Sequence, residues 1–106
     1  MPTITNTPTV RERVERGAAW LDEVKPEWRT LIDAEGLQMY SPQFCVLGQV
    51  FSVEAYEQKT GTGYAHAFTL SGAGAATWAI NHGFESGGED YSTLRAAWLG
   101  FLAEEG

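Results

Sequence analysis

Cysteine occurs once and histidine twice in this chain of 106 residues. A single Cys excludes an intramolecular disulfide framework and fits a reducing compartment. Basic side chains are scarce as well: 7 Lys and Arg stand against 14 Asp and Glu, for a net charge of −7 at pH 7. That balance argues against a protein that grips bare nucleic acid or anionic lipid through phosphate contacts. No apolar run approaches the roughly 18–20 residues needed to span a bilayer. The Thr- and Pro-rich stretch Met1 to Val10 lacks the basic-then-apolar order of a secretory signal. A soluble, cytoplasmic protein, or a part of a particle assembled inside a cell, is the expectation.

Aromatic residues, by contrast, are plentiful. Four Trp, four Tyr and five Phe supply more core than a disordered chain carries. The length suits one domain, and roughly two-thirds of the unfolded surface can be buried at this size without a staple.

Charge is laid out unevenly. Up to Thr30, Arg11, Arg13, Arg16, Lys25 and Arg29 cancel Glu12, Glu15, Asp22, Glu23 and Glu27. Beyond it only Lys59 and Arg95 oppose nine carboxylates, so the whole −7 lies there. This is either a solvated face or an acidic contact surface for a basic partner.

Thr9 and Glu12 have capping-box spacing, and Val10, Val14, Gly17, Leu21 and Val24 then recur on one helical face. Pro26 ends that helix. Gly17 within the apolar face implies that another element crosses closely there. Pro26 can open a short second helix carrying Trp28, Leu31 and Ile32, with Gly36 ending the turn. Ser41-Pro42 reads as the start of a third helix, with Phe44, Leu47, Gly48, Phe51 and Ala55 as its stripe to about Gln58. Val46, Val50 and Val53 broaden that stripe, and a strand over Val50–Val53 competes with it. Residues 64–70 alternate large and small, which fits a short extended segment, a packed loop or an Ala-rich helix. Ala73 to His82 is predicted helical with Trp78 as anchor, and Gly83-Phe84 is its stop. After a Gly-rich acidic loop, Asp90 caps a last helix in which Tyr91, Leu94, Trp98, Phe101 and Leu102 face inward.

The predicted fold is all-α or mainly α: a flexible tail over 1–8, then one bundle of about five helices over 9–106. Its core draws on Val14, Leu21, Trp28, Phe44, Leu47, Phe51, Trp78, Leu94, Trp98 and Phe101.

Chemistry is hard to find in this pattern. Cys45, His66 and His82 are scattered singly, whereas zinc sites want paired Cys and His at close spacing. Nothing local supplies a base for Cys45 as nucleophile. The run Lys59 to Gly63 has the residue types of a phosphate loop in the wrong order, and Gly72 to Thr77 lacks its third Gly and a preceding strand. No cofactor, no metal and no catalytic residue are expected. Three arginines in the first helix are interleaved with Glu12 and Glu15, so direct nucleic-acid binding is not expected either. Protein binding remains, with Trp and Tyr as favoured anchors. Trp20 lies off the apolar line of its helix beside Arg13 and Arg16, and is the first candidate contact. Tyr40 and Tyr91, near helix ends, and the acidic Glu89 and Asp90 complete the candidate surface.

Several pieces of this sequence resemble a group of small proteins of actinobacteria and their phages. They are Arg16-Gly17-Ala18-Ala19-Trp20-Leu21-Asp22-Glu23, Pro26-x-Trp28, Ile32-Asp33, Cys45-Val46-Leu47-Gly48-Gln49, His82-Gly83-Phe84 and Tyr91-x-x-Leu94-x-x-x-Trp98. Members of that group often carry a second Cys three residues before the position of Cys45. Here that position is Pro42, so no paired-Cys role transfers. The resemblance supplies no activity. It implies a phage or actinobacterial origin and favours an accessory phage protein that engages a host protein. The alternatives are a virion structural or assembly component held by self-association, and an acidic mimic of DNA. For the mimic, nine carboxylates over residues 31–106 is a modest density beside one charge per roughly 1.7 Å of duplex.

Overall fold

Thr9 and Glu12 do close a capping box: the Glu12 amide donates to Thr9 Oγ1 at 3.1 Å and the Thr9 amide to Glu12 Oε1 at 2.8 Å. They open α1 (Val10–Val24), which buries Arg13, Val14, Gly17, Ala18 and Leu21 and leaves Val24 exposed. The computed structural model describes residues 9–72 and 76–105; the expected tail over 1–8 and the start of the segment predicted helical from Ala73 lie outside them. After α1 come a 3-10 turn (Trp28–Leu31), α2 (Val46–Val50), α3 (Ser52–Gln58), α4 (Gly63–Ser71), α5 (Ala76–Asn81) and α6 (Tyr91–Glu105). Among the described residues there is no strand, so the mainly α expectation holds, with six α-helices where about five were predicted.

Two differences from the expected helices have local causes. The stripe expected to run unbroken from Ser41 to Gln58 is split. Ser41 Oγ caps only a turn, accepting from the Gln43 and Phe44 amides at 3.2 and 3.1 Å. Helix α2 starts later, with Cys45 Sγ accepting from the Gly48 amide at 3.3 Å. Phe51, at φ −107° and ψ 18°, breaks α2 from α3. The break turns Val53 and Tyr56 outward, and Phe44 ends half-exposed in the preceding turn rather than in the core.

Residues 64–70 are helical, not extended. Thr62 caps α4 through the Ala65 amide, Gly72 at φ 73° ends it, and Gly63, His66 and Ala67 form the buried line. That line is the i, i+3, i+4 set of a helix; the large/small alternation was a coincidence of Ala placement. Gly63 is required where it stands, because a Cβ there would lie 2.5 Å from the Gly48 carbonyl oxygen.

Helix α1 lies against α6 and α5, while α4 packs on α2 and α3. A single buried cluster joins both groups, including Val14, Leu21, Trp28, Leu47, Phe51, Phe84, Leu94, Trp98 and Phe101. Trp78 packs against it half-buried, and Tyr91, predicted to face inward, is exposed. Trp98 sits near the centre. It stacks on Phe84 at 5.7 Å, meets Trp28 edge-on at 5.9 Å, and donates its indole N–H to the Gly83 carbonyl at 2.6 Å.

The Gly83-Phe84 stop forms as predicted. Gly83 has φ 74°, the Phe84 amide donates to Ala79 O at 2.8 Å, and the Gly83 amide donates to Ile80 O at 3.1 Å. These two bonds satisfy the carbonyls left over at the end of α5. The reversal is pressed into α1 at Gly17, where a Cβ would fall 2.1 Å from His82 O. This is the close crossing that a glycine on the apolar face implied.

Opposite signs are expected for two Gly→Ala changes. Gly17→Ala forces the reversal off α1 and should lower unfolding free energy by about 1–3 kcal/mol. Gly100→Ala, in α6 with nothing near its would-be Cβ, should raise it by about 0.5–1 kcal/mol through helix propensity. Urea titrations of both variants check the pair.

A pH dependence follows from the end of α1. Asp22 accepts from Trp28 Nε1 at 2.9 Å and from Arg29 at 2.8 Å, which hold its carboxyl below the usual range, the Trp28 bond most. A depressed folded-state value contributes stability above the unfolded value and loses it as pH falls through the folded one. Because the carboxylate is half exposed, Asp22→Asn should cost under about 1 kcal/mol at pH 7. The difference from the parent should close as pH drops through the carboxylate range, as read by denaturation at stepped pH.

Candidate protein-contact surface

The predicted contact residues separate into two groups. Trp20 is not a free anchor. Its ring is half-buried, edge-on to Trp78 at 5.0 Å and close to Phe51 and Phe84 at 6.0 and 6.1 Å. It lies off the α1 apolar line, yet the reversal seated at Gly17 brings α5 and Phe84 over that side and covers it. Arg13 is likewise corrected: it is 6% exposed, beneath the Gly-rich loop, with Nη1 at 3.5 Å from Ser86 O. Arg16 stays on the surface.

Tyr40, Tyr91, Glu89 and Asp90 are all exposed, Tyr91 despite its predicted place on the inward face of the last helix, and the two tyrosine rings meet. Their rings meet edge-to-face at 6.1 Å, with Tyr40 64% and Tyr91 37% exposed. Asp90 is engaged as the cap of α6, accepting from the Thr93 amide at 2.8 Å and from Ser92 Oγ at 3.0 Å; these bonds hold its carboxyl below the usual range.

Tyr40 stands between two clefts. One, of about 310 Å³, is lined by Glu35, Leu37, Gln38, Met39, Tyr91, Ser92 and Arg95 as well as Tyr40. The other, of about 240 Å³, is lined by Met39, Tyr40, Ser41, Pro42, Cys45, Tyr64 and Glu85. Glu85 is the polar centre of the second cleft. Its Oε2 accepts from Tyr64 OH at 2.9 Å and its Oε1 from Tyr91 OH at 3.0 Å. Burial and then the Glu85 bond push the Tyr64 hydroxyl up; for Tyr91 the Glu85 bond comes first and burial second. Both phenols therefore stay neutral donors.

Each wall of this cleft is positioned by local sequence. Phe84, locked by the Gly83 reversal, fixes where Glu85 leaves the core. The close approach at Gly63 sets Tyr64, whose amide donates to Pro42 O at 3.4 Å. Asp90 starts α6 immediately before Tyr91. Glu85 and Tyr64 were not among the candidate contact residues; the signals for Glu85 were its i,i+3 spacing from His82 and its place right after the predicted stop.

A second exposed apolar strip lies on the α2–α3 side. Leu31 and Phe44 line an open groove of about 500 Å³ with Asp33, Gln43, Gln49 and Ser52. Val53 and Tyr56 lie one turn apart on α3, and Tyr56 is 84% exposed.

The nucleophile and metal candidates are placed as structural groups. Cys45 is buried, its thiol caps α2, and burial pushes it up to about 11. His66 is buried against Phe51, with Nδ1 at 3.1 Å from Thr60 Oγ1. His82 stacks on Trp78 at 4.7 Å and its Nδ1 lies 2.8 Å from Trp78 O. Among the described residues no group of three His, Cys, Asp or Glu is placed to hold a metal, and no helix is long and apolar enough to cross a membrane. Comparison with protein-family models, curated proteins and solved structures found no match to this chain.

The thiol offers a direct check. Cys45 should react with a colorimetric disulfide reagent at pH 7.5 only as fast as the protein unfolds, and at once in guanidinium chloride. Rapid reaction of the native protein would contradict the capping role.

Proposed function

We propose that this chain is a non-enzymatic, acidic helical module that binds another protein. In the phage or actinobacterial setting its sequence resembles, it acts as an accessory protein on a host protein. The observation that carries the reading is the Tyr40–Tyr91 pair, two aromatic side chains left outside the core at the mouths of adjoining clefts. Tyrosine offers large contact area at low entropy cost and keeps a polar edge, and it is over-represented among side chains that dominate binding energy. The charge supports the same reading: the −7 falls in the part of the chain that carries both tyrosines, which favours a basic partner.

The test uses tagged full-length protein and host lysate, followed by affinity measurement on whatever is recovered. A stoichiometric complex is expected. Changing Tyr40 and Tyr91 together to Ala should weaken it at least tenfold while leaving the melting temperature within a few degrees of the parent. Failure to recover any partner contradicts the reading. So does concentration-dependent self-association abolished by the same double change, which would make the surface a contact between copies of this chain.

A further inference from the structure

We infer that the cleft between Tyr40, Tyr64 and Glu85 receives a cationic side chain, a lysine ammonium or an arginine guanidinium, presented by the bound protein. This inference rests on the protein-binding reading above and names the chemistry of its contact.

The first argument is charge. Among the carboxylates whose burial is described, Glu54 and Glu85 are the two that are not exposed, and Glu54 pairs with Lys25. Glu85 is treated differently. Among the described residues it accepts only from neutral donors, the Tyr64 and Tyr91 hydroxyls and, at 3.4 Å, the Ser86 amide. A half-buried carboxylate held from two helices, with no cation bonded to it, lines the cleft. The cations in this region are directed elsewhere: Arg13, beneath the loop, has Nη1 3.5 Å from Ser86 O, and Arg95, in the adjoining cleft, donates to Leu37 O at 2.7 Å and Ala34 O at 3.3 Å.

Hydrogen-bonding capacity points the same way. An ionised carboxylate offers about four lone-pair sites. Three neutral donors leave room for a further donor from the cleft. Held by both hydroxyls, the carboxylate is preorganised and need not be ordered when a cation arrives.

The walls suit the same guest. Tyr40 and Tyr64 line the cleft beside the carboxylate, and aromatic faces attract cations most where water is partly excluded. Met39 and Pro42 supply apolar surface for an alkyl stem. The remaining polar groups do not compete: Ser41 Oγ is engaged by the Gln43 and Phe44 amides, and the Cys45 thiol is neutral. Size suits a small guest. At about 240 Å³ the cleft falls below the roughly 300–1,000 Å³ of cofactor and drug-like sites, and it matches one side chain. Glu89 and Asp90 on the adjoining loop add field of the same sign.

The test is an amide NMR titration of the full chain at 150 mM salt. The probes are three short glycine-flanked peptides, bearing one central Lys, one central Arg, or one Nε-acetylated Lys. The Lys or Arg peptide should shift the Tyr64, Glu85 and Ser86 amides saturably, and the acetylated peptide should bind at least tenfold more weakly. Glu85→Gln keeps an acceptor for the tyrosines and removes the charge; it should weaken binding at least tenfold. Glu89→Gln changes net charge by the same amount and should weaken it less than threefold.

Equal effects of the two Gln variants, equal binding of the acetylated peptide, or shifts confined to other surfaces would overturn the site. Melting curves of Glu85→Gln check folding, and Tyr40→Ala, which removes a wall that makes no hydrogen bond to Glu85, gives a second route to the same answer. A partner complex that survives Glu85→Gln but is lost with the Tyr40/Tyr91 double change would remove this inference alone. Survival of both would place the contact on another surface and remove the Tyr40–Tyr91 assignment with it, whereas recovery of no partner removes the binding-module reading itself.

Discussion

The contact of two backbones at Gly17 and Gly83 constrains the rest of this structure. A Cβ on Gly17 would strike His82 O at 2.1 Å, and one on Gly83 would lie 2.9 Å from the Val14 N and Cα atoms. Neither position admits a side chain while α1 and the end of α5 stay in contact. The approach is held from the other side by Trp98, whose indole N–H bonds the Gly83 carbonyl while its ring stacks on Phe84. A buried carbonyl is thereby satisfied where no helix can satisfy it. Trp28 then packs edge-on against Trp98, which ties the 3-10 turn to the same centre.

The candidate site hangs from this crossing. Phe84 is fixed in the core, so the next residue, Glu85, must emerge at a defined point between α4 and the start of α6. Tyr64 and Tyr91 reach it from those two helices. A carboxylate carried on a mobile loop would gain little from such bonds, because ordering it would offset them. Here the loop is pinned at its root by a left-handed glycine and at its far end by the Asp90 cap. Arg13, buried beneath the same loop, supports it from inside.

Features encoded within one or two turns of sequence were legible. The Thr9 capping box, the Gly83-Phe84 reversal, the Asp90 cap and the demand for a crossing at Gly17 all depend on neighbours a few residues away. Features created by packing were not. Trp20 looked exposed from its helix alone, and only the arrival of Trp78 and Phe84 buries it. Phe44 carried the right spacing for a core position, but the chain enters α2 one turn later than Ser41-Pro42 implied, so its ring points away. The alternation over 64–70 was ambiguous in kind, since seven residues can satisfy a period of two by chance when small side chains fill the gaps. Tyr40 and Tyr91 were recognised singly from their places near helix ends. Their meeting with Tyr64 and Glu85 joins residues up to 51 positions apart, and no local pattern encodes that.

The acidity of the chain acquires a location in this account. On the first helix Glu15 and Asp22 pair with Arg11 and Arg29, whereas Glu85 bonds the neutral hydroxyls of Tyr64 and Tyr91 beside exposed Tyr40. All of it depends on the Gly17–Gly83 contact being part of the global core, and native-state hydrogen exchange at the Phe84 amide measures that most directly. This amide donates to Ala79 O at 2.8 Å inside the reversal. If the crossing organises the fold, its exchange should require global unfolding, with an opening free energy equal to that from denaturant titration. An opening free energy several kcal/mol smaller would show the reversal lifting off α1 on its own and would contradict the account.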